Sequence, residues 1–158
     1  MKKSLKFIST LFLLFLFALN VSAKEYKDDK ARIKLSVPNN WKVSGDEDNL
    51  EIYSPDESIF IMFHVSKKGN IDATRSEVNT ILNKVLKNKK TTKSSKVTVN
   101  GMKAIEEEGT GVTEGTPVEW SVAILQAKRP VMVISLLGPG WKKWESALNG
   151  IANSLKRY

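Results

Sequence analysis

Six lysines and no acidic residue occur between residues 84 and 96, the strongest concentration of charge in the chain. They are Lys84, Lys87, Lys89, Lys90, Lys93 and Lys96. Such a cluster attracts anionic groups, so it predicts a surface for an unknown acidic protein or an anionic envelope component such as a lipid headgroup or glycan. No aromatic residue interleaves these lysines, so nucleic-acid binding is not indicated. The alternative interpretation is a solvated cluster that serves only solubility.

His64 is the only histidine, and the chain contains no cysteine. Histidine-pair and thiolate metal sites are therefore excluded, and we expect neither a metal nor a cofactor. No Gly-x-Ser-x-Gly turn accompanies His64, so a Ser-His-acid hydrolase is not indicated. A histidine within an apolar segment is more typical of a hydrogen-bonded residue at a sheet face. We predict a noncatalytic protein.

Two acidic runs could supply oxygen ligands to calcium, at residues 46–48 and at residues 106–108 together with Glu114. Neither run has the spacing of a calcium-binding loop, which needs several converging oxygens and a late bidentate glutamate. Solvated turn acids and a charged edge strand are the simpler interpretation.

Four tryptophans could line a ligand cleft, namely Trp41, Trp120, Trp141 and Trp144. Core packing is the simpler role for most of them. If a cleft exists, we expect it where a loop over residues 109–117 approaches Trp141. The alternative function is therefore a small-ligand carrier or weak enzyme with an aromatic-lined cleft, using His64 or the acidic loop.

The first 23 residues have the pattern of a secretory signal peptide. Three lysines precede an apolar run over residues 7–19, and Val21-Ser22-Ala23 offers small residues for cleavage after Ala23. The run is short for a membrane span, and no second one follows. Cleavage would remove three of the 25 basic residues and none of the 17 acidic ones, which leaves a net charge of +5. We therefore expect a periplasmic or secreted protein with no transmembrane segment after cleavage.

The rest of the chain predicts one domain. We expect a mobile leader over residues 24–30 and a single domain over residues 31–158, a length that can bury a core without disulfides. Alternating apolar residues predict strands, and spacings of three and four predict two helices. The expected strands cover residues 33–37, 50–53, 59–65, 97–99, 102–106, 118–127 and 131–137, and the expected helices cover residues 73–88 and 141–155.

The order of these elements indicates an α+β fold. Asn100-Gly101 between alternating segments is a strong hairpin signal, and Lys128-Arg129-Pro130 separates two further strands. Consecutive strands joined by tight turns predict a mainly antiparallel β-sheet covered by two helices. Residues 89–96 and 109–117 are expected to be loops, and Thr74-Arg75-Ser76-Glu77 matches a helix capping box.

Several sequence segments resemble those of the PsbP/Mog1/DcrB-like superfamily. They are Leu35-Ser36-Val37-Pro38-Asn39-Asn40-Trp41, Leu50-Glu51-Ile52-Tyr53-Ser54-Pro55-Asp56, the strand over 59–65, the strand Ile134-Ser135-Leu136-Leu137 and the helix over 151–155. The resemblance covers most of residues 31–157 and implies a PsbP/Mog1-like fold. It also implies an exported bacterial accessory protein, since the superfamily is mainly noncatalytic: PsbP-type members accompany photosystem II, and Mog1-type members bind a small GTPase. No binding motif of the superfamily matches here, so no site residue is carried over.

Overall fold

The computed structural model describes residues 22–46 and 48–158. The predicted signal peptide therefore lies outside the described residues, apart from Ser22 and Ala23. Within the described ranges, no helix is both long enough and apolar enough to cross a membrane.

The described part of the chain forms ten strands, two α-helices and a short 3-10 helix. In chain order they are β1 Ala23–Asp28, β2 Ile33–Pro38, β3 Lys42–Gly45, β4 Asn49–Tyr53, β5 Ile59–Val65, α1 Ile71–Val85, β6 Lys87–Val99, β7 Met102–Thr113, β8 Thr116–Gln126, β9 Pro130–Leu137, the 3-10 helix Trp141–Trp144, α2 Glu145–Ser154 and β10 Lys156–Arg157.

Seven of these strands form one antiparallel sheet in the order β3-β4-β5-β9-β8-β7-β6. The apolar runs of β8 and β9 place them near the centre, where both faces of a strand are buried. A smaller sheet has the order β1-β2-β10. The predicted α+β class, a mainly antiparallel sheet with two helices, is confirmed.

The large sheet is covered on both faces. Helix α1 presents Val78 and Leu82 to one face, where they join Trp120 and its neighbours on β8 and β9 in a buried cluster. The opposite face packs against the small sheet and α2, with Ile33 and Ile151 among the buried residues. Each helix buries one apolar stripe, as its spacing predicts.

Helix α1 begins earlier than the capping-box prediction placed it. The N-cap is Asn70, whose Oδ1 accepts a hydrogen bond of 2.8 Å from the backbone N of Ala73. Thr74 instead lies one turn inside the helix, where it is buried and its hydroxyl donates a hydrogen bond to the carbonyl oxygen of Asn70. Asparagine is among the preferred N-cap residues, and it follows the Gly69 turn directly.

Residues 24–30 are not a mobile leader in this structure. Six residues, Ala23–Asp28, form β1 and pair with β2, from Ala23 opposite Pro38 to Asp28 opposite Ile33. Asp28 is buried and accepts a hydrogen bond from the backbone N of Ala31. The sequence lacks apolar alternation here because β1 is an edge strand held mainly by its backbone.

Two segments interpreted as loops are strands. Residues 89–96 lie within β6, and residues 109–113 and 116–117 extend β7 and β8 on either side of a turn at Glu114-Gly115. Gly109 is required there, because a Cβ would lie 2.0 Å from the carbonyl oxygen of Lys90 and 2.6 Å from the ring of Trp120. A glycine in a strand here marks close approach of a neighbour.

Candidate functional site

Strand β6 is an exposed edge. It is 13 residues long and hydrogen-bonds to β7 on one side, and no described strand pairs with its other side. An unpaired edge presents a row of backbone N–H and C=O groups to solvent. Five of the six clustered lysines lie on this strand.

The strand divides the lysine cluster between its two faces. Lys87, Lys90 and Lys93 lie opposite Val112, Thr110 and Glu108, alternate residues on one face of β7. We call these three lysines the basic row. The other face, on the side of α1, carries Lys96 opposite Ile105 and, by its contacts, Lys89.

Two of the six lysines are engaged by neighbours. Lys89 donates a hydrogen bond of 2.9 Å to Oδ1 of Asn79 on α1, and its ammonium lies 5.9 Å from the ring centre of Trp120. Lys93 lies 3.6 Å from a carboxylate oxygen of Glu108. Lys84, in the last turn of α1, and Lys96 are exposed on the α1 side. The predicted patch is therefore two surfaces rather than one.

The basic row borders a sheet surface on the α2 side where the middle residues, such as Thr110, Glu108 and Glu119, are exposed. Two rows of register partners cross it from β6 toward β9 and end at buried residues of β9. One row is Lys90, Thr110, Glu119 and Leu137, and the other is Lys93, Glu108, Ser121 and Ser135. We call this surface, together with Lys87, the open face. It combines lysines at the edge with carboxylates and hydroxyls in the middle.

Trp141 borders the open face at its inner end. Two adjoining grooves of about 470 Å³ and about 440 Å³ meet there, and both are lined by Thr110, Glu119, Leu137 and Trp141. We call their union the Trp141 groove. The indole Nε1 of Trp141 donates to Oε1 of Glu119 at 3.4 Å. A groove therefore lies where the sequence suggested one, although its wall is a strand hairpin rather than a loop.

Asp56 helps to hold the 3-10 helix that carries Trp141. Its carboxylate lies 2.6 Å from the ammonium of Lys143 and accepts hydrogen bonds from the Trp144 indole and from the hydroxyls of Ser54 and Ser58. The Lys143 ammonium and these donors hold the pKa of the Asp56 carboxyl far below its usual range, against a smaller opposing effect of desolvation. The β4–β5 turn is thereby fastened to Lys143 and Trp144, at the end of the 3-10 helix.

His64 lies on the α1 side of the sheet, away from the open face. Its Nδ1 is in short contact with Oδ1 of Asn49, and its Nε2 lies 3.7 Å from Glu77. The hydroxyl of Ser66 donates to Glu77 at 2.7 Å, not to His64. The Glu77 carboxylate therefore lies between Ser66 and His64, whereas a catalytic triad places the histidine base between the nucleophile and the acid.

The acidic runs have structural partners. Oδ1 of Asp46 accepts hydrogen bonds from the backbone N of Asp48 and of Asn49 and thereby shapes the turn before β4. Glu107 is buried and pairs with Arg75, whereas Glu108 faces the open side. Among the described residues, no three or more His, Asp or Glu side chains converge as a metal site would require.

The chain matches no known family model, and its sequence matches no curated protein. Solved structures do resemble it. CyanoP, the cyanobacterial PsbP of Synechocystis, superposes with a TM-score of 0.58 at 12% identity, over 87% of this chain and 94% of that one. LpqN of Mycobacterium tuberculosis, described as involved in cell envelope biogenesis, superposes with a TM-score of 0.52 at 13% identity, over 85% and 90%.

The chain has the PsbP/Mog1/DcrB-like fold. The resemblance noted in the sequence is thus confirmed at the level of fold. A protein of Bacteroides thetaiotaomicron has the same TM-score as CyanoP, 0.58, at 17% identity over 85% of this chain, which spans about half (48%) of that longer protein. At these identities the PsbP-like fold is shared, while binding surfaces are free to differ.

Proposed function

We propose that this protein is an exported, noncatalytic accessory protein of the cell envelope that binds an acidic protein segment along β6. The observation that carries the proposal is the basic row, three lysines on one face of an edge strand whose outer side pairs with no strand in the described part of the chain. An extended segment can add to such an edge through backbone hydrogen bonds, while side chains on alternate positions give specificity. The PsbP-like fold and the envelope role of LpqN support an accessory protein of this kind.

A protein partner fits this surface better than an anionic membrane. The open face carries Glu108 and Glu119 beside the lysines, and a plane of acidic headgroups would meet those carboxylates as well. A single acidic strand at the edge would meet Lys87 and Lys90 first. The lysines also repel a second copy of the same edge, so they favour an acidic partner over self-association.

The described structure is compatible with the export that we propose. A signal peptide cleaved after Ala23 would release Lys24–Tyr158, and the residues of both buried clusters lie within that range. The mature chain would therefore keep its cores intact and meet partners in the periplasm or outside the cell.

Site-specific photo-crosslinking tests this function. A photoreactive residue would replace Ser95, which lies opposite Glu106 on the face of β6 that carries the basic row, and in a matched control Lys128, exposed in the β8–β9 turn. We expect the β6 probe, in cells that export the protein, to cross-link to one protein through a segment rich in Asp and Glu, identified by mass spectrometry of the conjugate. Equal cross-linking from both positions, or none from Ser95, would overturn the proposal.

A further inference from the structure

The Trp141 groove has the size of a small-ligand site. Each of its two parts, at about 470 Å³ and about 440 Å³, falls within the range of roughly 300–1,000 Å³ that ligand pockets occupy. Pro139 and Leu137 line it beside Trp141, and Thr110 and Glu119 cross its floor. Residues of β7 and β8 form much of its lining, and none of the three lysines of the basic row lines either part, so a small ligand there would not need to contact the basic row.

The groove pairs an apolar wall with a floor of hydrogen-bond acceptors. The half-buried Trp141 indole directs its N–H to Glu119, and the part of its ring that does not pack against the core lines the groove. An ionised carboxylate only accepts hydrogen bonds, whereas the hydroxyls of Thr110 and Ser121 both donate and accept. A fitting ligand needs one apolar face and an edge rich in O–H donors. A pyranose ring has both.

The charges around the groove favour a neutral ligand. Glu108 lies 3.6 Å from Lys93, which offsets its charge, and Lys142 borders the groove near Glu119. An anionic ligand would face the unshared lone pairs of Glu119. A cationic ligand would face Lys142 and the neighbouring Lys90. Lys142 offsets Glu119 and Lys93 offsets Glu108, so the lining of the groove favours neither sign of ligand charge.

We propose that the Trp141 groove binds a neutral saccharide unit, with a sugar ring against the Trp141 indole and sugar hydroxyls donating to Glu119. This site is separate from the protein-binding edge of β6. The two proposed sites lie on the same face of the sheet but depend on different residues, so one proposal can be wrong while the other holds.

The test uses three neutral oligosaccharide probes, namely the tetramers of β-1,4-linked N-acetylglucosamine, β-1,4-linked glucose and α-1,4-linked glucose. Each is titrated at millimolar concentration into isotope-labelled Lys24–Tyr158 while the four indole N–H resonances are followed by NMR. We expect at least one probe to shift the Trp141 resonance, assigned with Trp141→Phe, and to leave that of Trp41, which is buried and lines neither part of the groove, in place.

Variants locate the binding. Trp141→Ala should weaken it roughly tenfold, a change of about 1.4 kcal/mol, and Glu119→Gln should weaken it by a smaller factor because a carboxylate acceptor is lost. Lys87→Glu with Lys90→Glu should leave it unchanged, which separates this site from β6. No shift of the Trp141 indole with any of the three probes, or equal binding by folded Trp141→Ala, would overturn the proposal.

Discussion

Trp144 donates a hydrogen bond of 2.7 Å from its indole Nε1 to Oδ1 of Asp56, 88 residues earlier in the chain. The same Trp144 ring packs edge-on against the buried Trp41, with ring centres 6.1 Å apart. Together these contacts fix the 3-10 helix over the end of the large sheet. Trp141 is held at the open face because its helix is fastened at both Lys143 and Trp144.

Replacing Asp56 with Asn should lower the melting temperature at pH 7. The folded-state pKa of Asp56 lies below its unfolded value of about 3.9, so its stabilisation is present above that pH and is lost as pH falls below it. The difference between wild type and Asp56→Asn should therefore shrink toward pH 2.5. Thermal unfolding across this range checks it, with Glu57→Gln as a neighbouring control; a difference independent of pH would contradict the assignment.

The pair Arg75–Glu107 should stabilise the attachment of α1 to β7. Glu107 is only 4% exposed, and Arg75 donates from Nε at 2.8 Å. Arg75→Ala should cost roughly 2–4 kcal/mol, because it leaves a buried carboxylate with only the Ser94 hydroxyl as donor. Urea unfolding measures this, and adding Glu107→Gln should recover part of the loss. A double variant no more stable than Arg75→Ala would argue against an uncompensated charge as the cause.

Gly109→Ala should destabilise the β6–β7 pairing by about 1–3 kcal/mol, since the added Cβ meets backbone as well as the Trp120 ring. Gly69→Ala is the control, because nothing lies within 4 Å of a Cβ there. Denaturant unfolding compares the two. Equal stabilities would mean that residues 109–113 do not pair closely with β6.

The signal-peptide interpretation predicts a mature chain that begins at Lys24. Mass spectrometry of protein recovered outside the cytoplasm should show residues 24–158. Ala23→Trp should block cleavage, because signal peptidase requires a small residue at that position. Recovery of an intact Met1 terminus from the wild type would contradict it.

The sequence predicts the central strands well and the edge strands poorly. Strands β5, β8 and β9 carry apolar runs that reflect burial, so their periodicity is visible. The first ten residues of β6, KNKKTTKSSK, carry no such pattern, since an edge strand half in solvent is held by its backbone bonds to β7. Its strand character follows from backbone pairing with β7, the next strand in the chain, which the residue pattern within β6 does not reveal.

The candidate site was only partly predictable for the same reason. Trp141 could be singled out as a groove residue, because the Gly138-Pro139-Gly140 break predicts exposure at a helix start. The lysine cluster is visible in the sequence, but the division of its lysines between two faces of β6 is not. That division depends on strand alternation and on register shifts between Lys87 and Lys90 and between Thr91 and Lys93. Nothing near Glu119 signals that its side chain would reach the Trp141 indole.

Capture of an acidic partner from envelope extract tests the central claim most directly. Tagged Lys24–Tyr158 would be compared with Lys87→Glu plus Lys90→Glu and with Lys84→Glu plus Lys96→Glu, a pair with the same charge change on the α1 side. We predict one acidic protein bound by the wild type and by the α1-side pair, and lost from the Lys87/Lys90 pair. Equal retention by all three proteins, or equal loss from both pairs, would contradict a binding surface on the open face of β6.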